Sequence, residues 1–315
     1  MSKITKPAEL KVQQNIKVLA YGQPGLGKTT LGLSAPSPLL LDFDRGVHRV
    51  SPAHQTDTVQ IEKWEDVQEV LQEDLSGYKT LVIDTAGKML DFMSNYLIRK
   101  DPKLGKQDGS LTLQGYGARK VMFVNFLKQV DQMNKHLVFV AHDKEEKDGE
   151  QKIIRPEIGG SSSGDLVKEL DLVGYMEAIG KKRTISFDPC EKFYGKNTCQ
   201  LPSRIELPHL EDGTENKLLT NIFSNYQEHL ENRKKIAKGY DSLMTTIKES
   251  IDGIADASTA NDFVKWVSDP ELTHIWDSKL QAGRLFKEKT IALKLVLNPK
   301  TKEYEKSKQP VEAAV

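Results

Sequence analysis

Cysteine is nearly missing from this 315-residue chain: Cys190 and Cys199 are the two present, with eight residues between them and no C-x-x-C pair. A zinc site needs further ligands and His209 alone stands close by, so ordinary reduced thiols are expected. No run approaches the roughly 18 apolar residues that a membrane-spanning helix needs. The opening Met-Ser-Lys-Ile-Thr-Lys has no signal-peptide core, so the expectation is a cytoplasmic protein with no membrane partner. Charge excess is absent as well. Lys plus Arg and Asp plus Glu number 45 each, so any basic surface must be local. No internal repeat is visible. The length is ample for one large domain or two with a sizeable core.

Against that background residues 22–29 stand out. Gly22, Gln23, Pro24, Gly25, Leu26, Gly27, Lys28 and Thr29 complete the G-x-x-x-x-G-K-[ST] pattern of a phosphate-binding loop, and Thr30 follows. The glycines let consecutive backbone N–H groups converge on phosphates with no Cβ in the way. Lys28 reaches the β- and γ-phosphates, and the Thr29 hydroxyl can ligate Mg²⁺. The strand-like Ile16-Lys-Val-Leu-Ala-Tyr21 precedes the loop, and Thr29-Thr-Leu-Gly-Leu-Ser34 can open a helix whose N-terminus favours an anion. ATP and Mg²⁺ are the expected ligands, with residues 22–30 as the nucleotide contacts.

From residue 16 to about 210 short apolar runs alternate with helical patterns. Strands are expected at 16–21, 39–43, 58–61, 80–84, 137–141, 172–179 and 184–187, and helices at 65–75, 88–100 and 116–134. This alternation predicts an α/β core with a mostly parallel central sheet. Residues 1–15 read as a polar arm, 16–212 as the ATPase core and 213–297 as a helical C-terminal domain broken at Gly253 and Pro270. A charged, mobile tail is expected over 298–315.

Thr80-Leu-Val-Ile-Asp84 is an apolar strand ending in a carboxylate 56 residues after Lys28. That suits a Walker B motif, in which a buried strand tip presents an Asp to Mg²⁺ or its water shell. Many P-loop ATPases place a catalytic Glu next; here Thr85 follows, so the water-activating group must come from elsewhere. Leu39-Leu-Leu-Asp42-Phe-Asp44-Arg45-Gly46 reads as an additional strand between the two Walker elements, ending in carboxylates at i and i+2. Asp44 is the expected general base, against a strand-end turn that Asp42 merely caps. Leu137-Val-Phe-Val-Ala-His142 brings another polar residue to a strand tip. In a parallel sheet such tips gather at the ligand crevice, so His142 is expected to sense the γ-phosphate.

Together these elements resemble the RecA/RadA core of P-loop NTPases. RecA-type proteins carry Asp-x-Glu where this chain has Asp42-Phe-Asp44, and Gln where it has His142. Leu41-Asp-Phe-Asp-Arg-Gly46, Leu111-Thr-Leu-Gln-Gly-Tyr-Gly117 and Val140-Ala-His142 are similar to segments of the phage nucleotide-binding proteins of the Sak type, RecA-like single-strand-annealing recombinases. The likeness covers about residues 14–210 and implies a DNA-stimulated ATPase that binds single-stranded DNA and promotes annealing or strand exchange in a bacterial cell. It also implies a homo-oligomer with ATP at subunit interfaces, and a single-strand-binding or replication protein as a further partner. In such proteins the loops after the Walker B and sensor strands meet DNA. The first here, 99–120, sets Arg99, Lys100, Lys103, Lys106, Arg119 and Lys120 against Asp101 and Asp108, with Tyr116 able to stack a base. The second, 143–165, is net acidic apart from the run Gly159-Gly-Ser-Ser-Ser-Gly164. Lys182 or Arg183 stands where RecA-like cores insert a cation into a neighbour's ATP site. Alternatives on the same core are a helicase loader or hexameric motor, and a non-enzymatic nucleotide switch whose C-terminal helices recruit a partner.

Overall fold

Uninterrupted apolar runs build the centre of a sheet. The computed structural model describes residues 14–148, 151–159, 167–180, 182–210 and 214–307. In chain order its elements are β1 (Lys17–Gly22), α1 (Lys28–Gly32), β2 (Pro38–Asp42), β3 (Thr58–Gln60), α2 (Trp64–Val70), β4 (Thr80–Asp84), α3 (Ala86–Lys100), α4 (Leu113–Gln132), β5 (His136–Ala141), β6 (Asp143–Asp148), β7 (Gln151–Pro156), β8 (Leu172–Ile179), β9 (Lys182–Ser186), β10 (Lys196–Asn197), β11 (Arg204–Glu206), α5 (Leu218–Asp252), α6 (Ala257–Val267), α7 (Ser278–Ala292), β12 (Leu295–Leu297) and β13 (Tyr304–Lys306). The main sheet has the order β11-β9-β8-β1-β5-β4-β2-β3, with β10 added beside β8. From β3 to β8 every neighbour is parallel, and β9, β10 and β11 join antiparallel. The expected α/β class with a mostly parallel sheet is what the chain forms.

Both faces of this sheet are covered, which is why its strands read as continuous apolar runs rather than alternating ones. Leu19, Tyr21, Leu41, Ile83 and Phe139 face a layer holding Trp64, Met89, Phe123 and Phe126 from α2, α3 and α4. Their chain neighbours Val18, Ala20, Leu40, Val82 and Val138 point the other way, onto Leu31, Leu33, Leu219 and Phe223. Each Val, Leu, Ile, Phe or Met among them contributes on the order of 1.5–3 kcal/mol of burial. Two compact units divide the chain, the first ending at Gln227 and the second starting at Glu228. The second has its own core of Met244, Ile247, Ile251, Phe263 and Phe286. Among the described residues no helix is long and apolar enough to cross a membrane.

Several expectations need correction. The segment 143–165 begins not as a loop but as the antiparallel hairpin β6–β7. Ion pairs Lys152–Glu145 (2.9 Å) and Arg155–Glu146 (3.0 Å) tie its charged strands, and the Ile154 N–H donates to the Lys192 carbonyl. Such a ribbon has no long apolar run to betray it. Within Gly159-Gly-Ser-Ser-Ser-Gly164, residues 160–164 lie outside the described residues, as do the arm up to residue 13, Lys181 and residues 308–315. The segment 99–120 is likewise no open loop: a 3-10 turn at Pro102–Leu104 leads to α4, which starts at Leu113 with Thr112 as its cap. The unit division falls within α5 rather than at residue 213. The expected tail at 298 instead starts with a hairpin, β12–β13. Tyr304 holds it, with its ring edge-on to Phe286 at 5.1 Å and its N–H donating to Asn261.

Candidate nucleotide site

The loop after β1 turns on left-handed backbone. Gly27 has φ 84°, which a Cβ would disfavour, and it hands the chain directly to the short helix α1. Lys28, the first residue of that helix, folds back so that its ammonium donates to the carbonyls of Gly22 (2.8 Å) and Gln23 (2.7 Å). Burial pulls its pKa below the ordinary lysine value, opposed by the charge of Asp84. The next residue, Thr29, donates its hydroxyl to Asp84 Oδ2 at 2.6 Å. Asp84 is buried at the tip of β4, and burial raises its carboxyl above the usual range, with the Thr29 hydrogen bond working against that rise.

The two carboxylates after β2 divide the work. Asp42 is 1% exposed and accepts the backbone N–H groups of Asp44, Gly46 and Val47, each at 3.1 Å. It caps the turn. Asp44 is carried out into the cavity, where it pairs with Lys88 and, at 3.6 Å, with Arg49. The additional strand lies between the Walker elements in sequence but not in the sheet. β2 sits outside β4, while β5 separates β1 from β4. The residue following that central strand is His142, whose buried Nδ1 has no hydrogen-bond partner among the described residues.

A cavity of about 210 Å³ joins these pieces, lined by Lys28, Thr29, Asp44, Asp84 and His142 together with Arg49 and Thr85. Pro24, Gly25, Gly27 and Thr30 also line it. Sequence reasoning did not single out Arg49 or Lys88. Each is a lone cation in a turn or first helical turn, and only the fold turns it toward Asp44. For Mg²⁺ the donor set fits: a hydroxyl and a carboxylate, hard oxygens in contact, which is the one-or-two-ligand arrangement that leaves the remaining positions to water and phosphates. No cluster of three or more His, Cys, Asp or Glu that would cage a metal occurs among the described residues.

Arg183 reaches the phosphate loop of its own chain. β9 pairs back along β8, which lies beside β1, and the Arg183 guanidinium donates to the Leu26 carbonyl of its own phosphate loop at 3.4 Å. The same guanidinium would crowd any Cβ at Gly27, at 2.9 Å. Lys182 turns away to pair with Glu206 at 3.1 Å. The cation expected in a neighbour's site is thus engaged in cis.

Two of the six cations of the expected DNA segment are engaged within the chain. Arg119 is 3% exposed, donates to Ser94 and Gly159, and covers the Tyr116 ring at 5.0 Å. Arg99 is held by Glu65 at 2.7 Å.

A phosphate loop, a buried carboxylate on its threonine and a parallel sheet with the loop at its centre define a P-loop NTPase. The AAA domain family model matches residues 14–199, more than half of the chain, and the chain belongs to that family. No curated protein matches it at a significant level.

Proposed function

We propose that the chain binds and hydrolyses ATP with Mg²⁺, and that it does so on single-stranded DNA, promoting annealing or strand exchange as the Sak-type recombinases do. The observation that carries hydrolysis is one cavity that takes in Lys28, Thr29, Asp84, Asp44 and His142 from the C-terminal ends of four strands and the segments that follow them. In this reading Lys28 holds the β- and γ-phosphates as a point charge in a poorly solvated pocket. Thr29 and Asp84 would hold Mg²⁺, which neutralises phosphate charge when bound. Asp44 takes the proton of the attacking water, and the unpartnered Nδ1 of His142 faces the transferred phosphate. Arg183, lying on the loop in cis, supplies a further cation without requiring a neighbouring subunit, although a homo-oligomer remains compatible with it. DNA binding and a role beside a single-strand-binding or replication protein rest on the likeness of residues 41–46, 111–117 and 140–142.

A specific observation favours a second reading. Asp44 is engaged by both Lys88 and Arg49, and a carboxylate held in two ion pairs must break them before it can meet an attacking water. A nucleotide switch with negligible turnover follows from that pairing. Phosphate release measured with and without Mg²⁺ and single-stranded DNA separates the two. Mg²⁺-dependent turnover that rises with DNA supports the recombinase-type ATPase. ATP binding with no turnover under any condition supports the switch.

A further inference from the structure

Two arginines leave the turn that follows β2, and they part. Arg45 pairs with Glu62 at 2.6 Å, both side chains being well exposed. Arg49 is turned into the nucleotide cavity, which it lines together with Lys28 and Asp44. The backbone that carries it is fixed. The Asp42 carboxylate accepts the N–H groups of Gly46 and Val47. The Arg49 N–H donates to the Gly46 carbonyl at 3.0 Å, and the Gln55 amide donates to the Val50 carbonyl at 2.9 Å. Val50 belongs to the core and Val47 packs against that core, so the short 3-10 turn Val47–Arg49 is held from both ends.

The side chain on that rigid turn is weakly engaged. Arg49 approaches Asp44 Oδ2 only to 3.6 Å, too far for a hydrogen bond, so its fork of N–H donors has capacity to spare. Lys28, by contrast, already donates to two loop carbonyls, and Lys88 does not line the cavity. Position then selects one end of a nucleotide. The phosphate loop follows β1, Thr29 and Asp84 meet at the tip of β4, and β2 lies on the far side of β4 from β1. Mg²⁺ held by Thr29 and Asp84 would bridge the β- and γ-phosphates. A triphosphate seated on the loop therefore points its terminal phosphate toward the turn of Arg49.

We infer that Arg49 is the γ-phosphate ligand of this site and the residue by which the chain tells ATP from ADP. The inference rests on the nucleotide-binding part of the proposed function and holds for an ATPase and for a switch alike. A γ-phosphate offers the guanidinium paired, charge-assisted hydrogen bonds, which the long contact with Asp44 does not. It therefore draws Arg49 away from Asp44 and leaves that carboxylate paired to Lys88. ADP has no phosphate at this end, so its β-phosphate stays with Lys28 and the loop, and the Arg49–Asp44 pair is undisturbed. Arg49 thus couples the presence of the third phosphate to the freedom of Asp44.

The test uses the full chain with Mg²⁺ and compares ADP with the non-hydrolysable AMP-PNP, each displacing a fluorescent nucleotide. Arg49→Gln is expected to weaken AMP-PNP about tenfold and to change ADP by less than about twofold. Arg49→Lys keeps the charge without the fork, and its AMP-PNP affinity is expected to fall about threefold. Lys88→Gln removes the other partner of Asp44 and is expected to keep the wild-type ratio of the two affinities. Arg49→Gln is expected to melt within about 4 °C of wild type, since it removes an exposed, screened pair. Should it fail to fold, the ratio in Arg49→Lys decides. Wild-type AMP-PNP affinity in Arg49→Gln, or an equal loss for both nucleotides, overturns the inference and leaves nucleotide binding standing. The same shift of the ratio in Lys88→Gln overturns it too, because the effect would then follow Asp44 rather than a phosphate contact. A wild-type chain that binds neither nucleotide overturns both this inference and the proposed function.

Discussion

Asp42 and Asp44 stand two residues apart, yet their contacts predict opposite phenotypes for the same Asp→Asn change. Asp42 is buried and accepts three backbone N–H groups. An amide in its place keeps one acceptor oxygen and turns an NH₂ toward the Val47 N–H, leaving that donor unpaired and the other two bonds without the carboxylate charge. With charge-assisted bonds of this kind contributing about 1.5–3 kcal/mol each, the expected loss is about 2–4 kcal/mol. That corresponds to a melting temperature lower by roughly 5–15 °C for a unit of this size. Asp44 contributes ion pairs to Lys88 and Arg49, whose side chains are about half and two-thirds exposed. Screened pairs of that sort stabilise by no more than about 1 kcal/mol, so Asp44→Asn is expected to melt within about 4 °C of wild type. Its effect falls on chemistry: ATP binds normally and turns over at least tenfold slower, about 1.4 kcal/mol of barrier. Thermal melts, fluorescent ATP titration and phosphate release on both variants measure the split. An Asp44→Asn enzyme that hydrolyses within twofold of wild type, or an Asp42→Asn chain with wild-type stability and no activity, refutes the assignment.

Lys28→Ala is expected to remove most ATP affinity, checked by fluorescent nucleotide titration, because the phosphates lose a charge fixed by two loop carbonyls. Asp84→Asn is expected to keep part of that affinity and lose Mg²⁺-dependent turnover; undiminished turnover sinks the metal assignment. If Arg183 acts in cis, mixing wild-type and Arg183→Ala subunits lowers activity in proportion to the mutant fraction, whereas a steeper fall points to action on a neighbour. His136 gives a pH prediction. Burial lowers its pKa to about 4, its Nδ1 accepts the Ile16 N–H at 3.0 Å and its ring stacks on Phe223. The folded chain therefore resists a proton that the unfolded chain accepts below about pH 6.5. Stability is full above that pH and falls as pH drops toward 4, by up to about 3 kcal/mol. Urea midpoints for His136→Asn, which keeps an acceptor, are expected to lose much of this dependence between pH 7 and pH 4.5.

What could be read from the chain was what rests on local pattern. The phosphate loop is contiguous, and its chemistry needs those residue types in that order. The central strands announce themselves because a sheet covered on both faces demands runs such as Thr80-Leu-Val-Ile-Asp84. Their polar tips then meet by topology, which is how Asp84, Asp44 and His142 come to share a cavity with residues drawn from the loop. The β6–β7 hairpin escaped because cross-strand ion pairs and one anchored isoleucine hold it, and neither leaves a periodic signature. Arg49 and Lys88 escaped for a related reason. A single cation is informative only once the backbone has brought it within reach of a carboxylate.

Charge is where pattern reading says least, and Arg119 shows why. Counted along the chain, 99–120 has six cations against two acids and looks like the best phosphate surface. Folding engages two of the six. Arg119 becomes the buried tie between α3, α4 and the segment after β7, with burial lowering its pKa, and Arg99 is pinned to Glu65 on α2. In α5 and α7 the same holds. Residues 233–240 and 278–287 lack acids, but Glu231, Asp241, Asp277 and Glu288 border them, and hydrogen bonds from Gln281 and Tyr240 together with the charge of Arg284 hold the Asp277 carboxyl below its ordinary range. A formal charge along the sequence therefore bounds a surface from above. The bound is approached only where no acid comes within reach of the cations, and that is decided by the fold, not by the count along the chain.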